Sequence, residues 1–320
     1  MYYIGIDLGG TNIAAGLVDS CGRLLRKSSI PTQKERHYRE ILTDMALLAR
    51  GLVEEAGLSL AAIQSIGVGA PGTPDVKNGV LIYNNNLGFK NVPVRTEIQK
   101  HLPLPVHLDN DANCAALAEG LVGAAKGASS SVTITLGTGI GSGVIINHQV
   151  YSGFNYAAAE LGHMVIKFDG QVCTCGRRGC WEAYASATAL IRQARAAAAA
   201  HPESLLLTLA EGDPANITAK TPFDAARQGD PFAASVVEQY FDYLAVGVSN
   251  IINIFQPEVI VLGGGIAQQG ESLLSALQKR VAREIYTKDS EAMPATQLKE
   301  AVLGNDAGIV GAALLGFTTE

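Results

Sequence analysis

Four residues near the middle of the chain have the types and spacing of a metal centre. In HMVIKFDGQVCTCGRRGCWE, His163 stands ten positions before Cys173, and Cys175 and Cys180 follow around the turn Gly176-Arg177-Arg178-Gly179. One imidazole and three thiolates suit a tetrahedral zinc ion, and a full protein ligand set leaves no position for a catalytic water. Such an ion would organise a loop rather than take part in chemistry. Scattered structural cysteines are the bland alternative, but three of the five cysteines crowd into this one stretch. Crowding without an export signal reads as metal binding rather than disulfides. Glu160 and Glu182 flank the cluster. Surface solvation explains either alone, yet a zinc-ordered loop that turned both towards a polyol would give hydroxyl groups the acceptors they need.

Three glycine turns, DLGGTN, LGTGIGSG and LGGGIA, each follow an apolar strand directly. Amides at such turns point outward and bind phosphate, because glycine lets the main chain approach an anion. No Gly-Lys-Ser/Thr occurs, and from Gly137 or Gly139 the last position of GxGxxG is Ser142 or Val144, so Walker-type and dinucleotide-binding loops are set aside. Asp7 sits in the first turn, where a carboxylate beside phosphate calls for Mg²⁺; an Asx-type turn is the plain alternative. In HLDNDANCAALAEG, Asp109, Asn110, Asp111 and Asn113 cluster before a helical run at 115–120. One N-cap needs one such residue, so the surplus argues for a polar site in which a carboxylate takes a proton during phosphoryl transfer. Spacing does not choose between Asp109 and Asp111. A helix N-terminus would keep Asp111, the nearer of the two, ionised.

The elements that must position these groups alternate between strands and helices. The opening reads as strand, glycine turn, strand, tight turn at Cys21-Gly22 and strand. Helices are expected over 38–56, 182–200 and 231–255 and in AGIVGAALLGF, with strands at 63–68, 106–108 and 259–262. Setting Ile6 against Ile134 aligns IDLGGTNIAAGLVD with ITLGTGIGSGVIIN, so that Gly9 falls on Gly137. This repeat implies two related α/β lobes, each offering a glycine turn to a shared cleft. A chance likeness of two apolar hairpins is the competing explanation.

The 320 residues are 48% hydrophobic and 17% charged, which excludes disorder. Thirty-five are glycine. With 24 basic and 30 acidic residues, the net charge of −6 disfavours a nucleic-acid or anionic-membrane partner. No apolar run reaches the roughly 18 residues of a membrane span, and the N-terminus lacks a signal-peptide pattern, so a cytoplasmic protein is expected.

The zinc cluster, followed by LDNDAN and ELGH, resembles the ROK family of sugar kinases over nearly the whole chain, and within it the bacterial glucokinases. The resemblance implies a duplicated ribonuclease-H-like fold, as in actin and hexokinase, with lobes at 1–112 plus 303–320 and at 113–302. It implies ATP and Mg²⁺ as cofactors, a structural Zn²⁺, a homodimer or homotetramer, and transfer of phosphate to the 6-hydroxyl of glucose. The preference for glucose follows NNNLGFKNVPV and ASATALI. Asp111 becomes the catalytic base. Gly72, Asn86, Asn110, Glu160, His163 and Glu182 become sugar ligands, with His163 on zinc through its other nitrogen. Gly9, Gly10, Thr11 and Asn12 with Asp7, and Gly137, Thr138 and Gly139, become the phosphate turns, and Gly263, Gly264 and Gly265 the adenosine contact. Phe89 replaces a frequent Trp, and Ala159 replaces a glycine before Glu160, which puts the pose of Glu160 in question. Alternatives are a kinase for N-acetylmannosamine, N-acetylglucosamine, fructose or allose, and, more distantly, a sugar-sensing repressor. A repressor would need a DNA-binding module ahead of the first strand, which starts by Tyr3.

Overall fold

In the computed structural model of the chain, residues 1–84, 87–288 and 293–317 are described. Three strands, β1 (Tyr2–Leu8), β2 (Asn12–Asp19) and β3 (Leu24–Pro31), lead to helix α1 (Tyr38–Glu55) and strand β4 (Ile63–Ala70). The short strands β5 (Thr73–Asp75), β6 (Val80–Asn84) and β7 (Phe89–Val92) precede α2 (Val94–Gln99), β8 (Val106–Asn110) and α3 (Asp111–Leu121). Then come β9 (Ser131–Leu136), β10 (Ile140–Ile146), β11 (Gln149–Val150), α4 (Glu182–Ala185), α5 (Ala187–Ala200), α6 (Leu205–Thr208), α7 (Thr221–Arg227) and α8 (Pro231–Phe255). Strand β12 (Val259–Gly263), α9 (Glu271–Glu284), β13 (Gln297–Glu300) and α10 (Ala307–Leu314) complete the order. Among the described residues no helix is long and apolar enough to cross a membrane.

Two five-stranded sheets have the same plan. The first runs β3-β2-β1-β4-β8 and the second β11-β10-β9-β12-β13. In the first, β1 pairs antiparallel with β2 and parallel with β4, and β4 is parallel to β8. The second ends likewise in an antiparallel pair, β10 with β11, and a parallel pair, β12 with β13. The strand ends obey the offset seen in the sequence: β1 stops at Leu8 and β9 at Leu136, while β2 starts at Asn12 and β10 at Ile140. This is the duplicated ribonuclease-H-like fold.

The chain forms two compact units, Met1–Thr133 with Ser142–Ala159 and Ala301–Glu320, and Ile134–Gly141 with Glu160–Glu300. The first boundary differs from the sequence-based 112/113 because α3 packs against α10 and so stays with the first unit, and the last falls at 300/301 rather than 302/303. In that unit both faces of the sheet are covered. Ile4, Ile6, Ile66 and Val68 cluster with Ile41, Leu42 and Met45 of α1, while Tyr3 and Val18 cluster with Leu117 of α3 and Val310 and Leu314 of α10. Covered faces explain why β4 is buried at every position from Ser65 to Ala70 rather than at alternate ones. Helix α10 lies so close that a Cβ on Gly5 would overlap the Ile309 carbonyl, and one on Gly67 the Ala312 carbonyl.

In the second unit Trp181, fully buried, donates its indole N–H to the Tyr243 carbonyl at 2.9 Å and fills the space left by Gly247 on α8. The helix expected over 182–200 is two helices. Ser186 between them is extended, and its hydroxyl oxygen accepts the Ala189 N–H at 3.1 Å, an N-cap that starts a new helix.

Candidate active site and metal centre

The first glycine turn joins β1 to β2. Gly9 N–H donates to the Asn12 carbonyl at 3.0 Å. Asp7 lies in β1 just before it, and its carboxyl is pushed up to about 6, first by burial and then by the charge of Asp111. Two carboxylates influencing each other beside a glycine turn fit an intervening cation, which is what Mg²⁺ would be. The described geometry thus brings Asp7 and Asp111 together, as their sequence separation alone could not indicate.

Strand β8 passes into α3 without a loop, and the helix starts at Asp111 rather than near 115. Asn110 is the N-cap: its Oδ1 accepts the N–H groups of Ala112 at 2.8 Å and Asn113 at 3.2 Å, and its Nδ2 donates to the Gly72 carbonyl at 3.1 Å. Asp109 is buried and accepts the Asn110 N–H at 2.7 Å and the Asn113 amide at 2.9 Å. Its carboxylate is occupied with holding the strand end. Asp111 accepts the Ala112 N–H at 2.9 Å. Its carboxyl is nevertheless raised, because burial outweighs that hydrogen bond. The expectation that the helix terminus would dominate is corrected: desolvation wins.

The GAPG turn needs its glycine. Gly72 has φ of 104°, and a Cβ there would overlap the Tyr83 carbonyl. Asn84, fully buried, donates to the Pro71 carbonyl at 2.5 Å and accepts the Leu87 N–H at 2.8 Å, so it ties this turn to the NNNLGF segment. The sequence reading passed over Asn84; the run of three asparagines was the available signal. Asn86 lies outside the described residues.

In the second unit the turn Gly137–Ile140 joins β9 to β10. Glu182 reaches it: one carboxylate oxygen accepts the Ile140 N–H at 2.9 Å and the other the Thr174 hydroxyl at 3.1 Å. Gly264, at φ of 85°, approaches the Leu136 carbonyl too closely for any Cβ to fit without displacement. Beside this third turn, Phe223, Lys220, Arg227, Gly265 and Gln269 line a cavity of about 270 Å³.

Ligand atoms of His163, Cys173, Cys175 and Cys180 all lie within 4.8 Å of one another. Cys173 Sγ is 3.6 Å from His163 Nδ1, and Cys175 Sγ is 3.7 Å from Cys180 Sγ. Thiolates about 2.3 Å from a tetrahedral zinc are about 3.8 Å apart, so the donor set fits the ion in number, type and spacing. The purified protein should hold about one zinc per chain, and Cys175→Ser should release it and open the 163–182 segment to hydrogen exchange. A metal-free chain with undiminished thermal stability and activity would overturn the zinc assignment.

Glu160 immediately precedes the 3₁₀ turn Leu161–His163. Ala159 before it has φ of 66°, the left-handed region that favours glycine. Ala159→Gly should therefore raise stability by about 1 kcal/mol, read from the denaturant midpoint. A lowered midpoint would show that the neighbouring chain, not the backbone angle, governs this position.

The ROK family profile matches residues 3–318. The chain is 39% identical to a glucokinase of Thermotoga maritima, over 97% of this chain and 95% of the relative, and 37% identical to one of Halalkalibacterium halodurans, over 98% and 94%. A ROK family glucokinase from Streptomyces griseus, solved in complex with glucose and AMPPNP, superposes with a TM-score of 0.82 at 36% identity, covering 98% of this chain and 99% of that one. The histidine–cysteine cluster, strand-to-helix junction and duplicated sheets thus occur in a chain that, over nearly its full length, belongs to the ROK family.

Proposed function

We propose that the protein is an ATP-dependent hexose kinase that phosphorylates the 6-hydroxyl of glucose. The observation that carries the reading is the Asp7–Asp111 pair beside the first glycine turn, with Asp109 held out of use by Asn113 and the Asn110 N–H. Asp111 takes the proton of the 6-hydroxyl as that oxygen attacks the γ-phosphorus in line, the role of a kinase's catalytic aspartate. Its raised pKa makes it a stronger base than an ordinary aspartate, provided the pH keeps it ionised. Asp7 would hold Mg²⁺, which when bound neutralises phosphate charge. The amides of Gly9, Gly10, Thr11 and Asn12, and those of Gly137, Thr138 and Gly139, face the phosphates. Gly263, Gly264 and Gly265 border adenosine, for which Phe223 and the polar side chains of the neighbouring cavity offer an apolar wall and donors.

Gly72, Asn86, Asn110, Glu160, His163 and Glu182 would bind sugar hydroxyls. Asn110 reaches this role from its cap, because an amide holding two N–H groups is already fixed in orientation. His163 Nδ1 faces the cysteine cluster, which leaves Nε2 for the sugar. Glucose as the preferred acceptor rests on the relatives' identities. Homodimer or homotetramer assembly and cytoplasmic location remain part of the proposal. ADP release measured over glucose, mannose, fructose, allose, N-acetylglucosamine and N-acetylmannosamine tests the reading. Highest kcat/KM on glucose is expected; a higher value on an N-acetylated sugar would reassign the acceptor.

A further inference from the structure

An anion-binding turn has a requirement that its glycines do not meet. When its amides face phosphate, the carbonyls of the same turn must be held back and given donors, because a carbonyl oxygen facing the anion repels it. In the first unit, Thr32 Oγ1 donates to the Gly9 carbonyl at 2.7 Å, and Thr32 N–H donates to the Thr11 carbonyl at 2.8 Å. Thr32 directly follows β3 and is fully buried. In the second unit, Thr188 Oγ1 donates to the Thr138 carbonyl at 2.8 Å, and Ala187 N–H donates to the Gly137 carbonyl at 2.9 Å.

The two turns are related by the internal repeat, but their donors are not. Thr32 follows a strand, whereas Thr188 lies in the first turn of helix α5. The same demand is met twice, from elements of different kind, by a threonine hydroxyl on a turn carbonyl. The second case also accounts for the break at Ser186: a continuous helix over 182–200 would not present Ala187 N–H and Thr188 to the turn, since the N–H would be consumed within the helix. From these contacts we infer that Thr32 and Thr188 are positioning residues of the nucleotide-phosphate cradle, each tying back a carbonyl so that the turn's amides stay aimed at the anion. This inference rests on the ATP reading above.

Binding of AMPPNP with Mg²⁺ to the sugar-free protein separates positioning from general stability. Thr32→Val and Thr188→Val should each weaken it about 5- to 10-fold, the scale of one lost hydrogen bond. KM for ATP should rise in step, KM for glucose should stay within about twofold, and serine at either position should restore binding. Thr188 is exposed in the first turn of its helix, so its valine variant folds even if burial makes Thr32→Val unstable. Unchanged AMPPNP affinity in Thr188→Val and in folded Thr32→Val would overturn the inference, as would an equal rise in the glucose KM. Wild-type protein that binds no AMPPNP would overturn the ATP reading and this inference with it.

Discussion

Asp111→Asn should lower turnover by about 10²–10⁴-fold, the usual cost of a lost general base, while glucose affinity changes little. The amide retains the shape and can still hydrogen-bond a hydroxyl, so the loss falls on kcat rather than KM. Asp109→Asn should behave differently. Its carboxylate accepts the Asn110 N–H and the Asn113 amide in a buried position, so the substitution should appear as lower stability with a smaller change in turnover. The wild-type pH profile checks the same assignment. A base works only when ionised, and burial raises Asp111 above the ordinary value of 3.8, with Asp7 beside it at about 6. Activity should therefore fall on acidification well above pH 4. Near-normal turnover in Asp111→Asn, or greater damage from Asp109→Asn, would transfer the role.

Asp7→Asn should make the protein more stable and nearly inactive. The folded carboxyl has a pKa of about 6 against an ordinary 3.8, so the folded state binds this proton more tightly than the unfolded state does. The protonated form's stabilisation is complete below the unfolded value and lost as pH rises through the folded one. Ionised Asp7 thus costs the wild type up to about 3 kcal/mol above pH 6 or so, at 1.36 kcal/mol per unit. Asparagine removes that cost. Thermal unfolding should show the variant ahead of wild type at pH 7.5, with the two converging below about pH 4. Mg²⁺ should stabilise wild type and leave the variant unmoved, because a cation binds the carboxylate and not the amide. Turnover should drop about 10²-fold or more with the loss of phosphate charge neutralisation. A variant no more stable than wild type at pH 7.5 would refute the burial argument; an undiminished Mg²⁺ effect would place the cation elsewhere.

Features that depend on neighbours in the chain were legible in the sequence. The cysteine spacing points directly to the cluster that the fold assembles, and the offset linking Gly9 to Gly137 anticipates two sheets of related plan. Ala159, singled out as standing where a glycine is usual, does adopt the glycine conformation. What was not legible depends on partners far along the chain. Thr32 meets Gly9 across 23 positions and Thr188 meets Thr138 across 50, and neither threonine carries a local mark. The broken helix belongs here too, since alanine-rich periodicity runs straight through Ser186. The pKa of Asp111 was misjudged for a related reason: a helix start is visible in a sequence, whereas depth of burial is a property of the finished packing.

The seating of α10 on Gly5 and Gly67 has a consequence for synthesis. A ribosome delivers β1 and β4 first, at about 5–20 residues per second, and the helix that covers one face of them only after the whole second unit has emerged. Nothing bulkier than glycine could stand at those two positions in the native sheet, so the nascent first unit carries a groove shaped for a backbone that does not yet exist. The second unit meanwhile contains all of its own segments by Glu300 and can fold while the first still waits. During synthesis the earliest strands are therefore the last to be sealed, and that interval is when this chain would most need a chaperone.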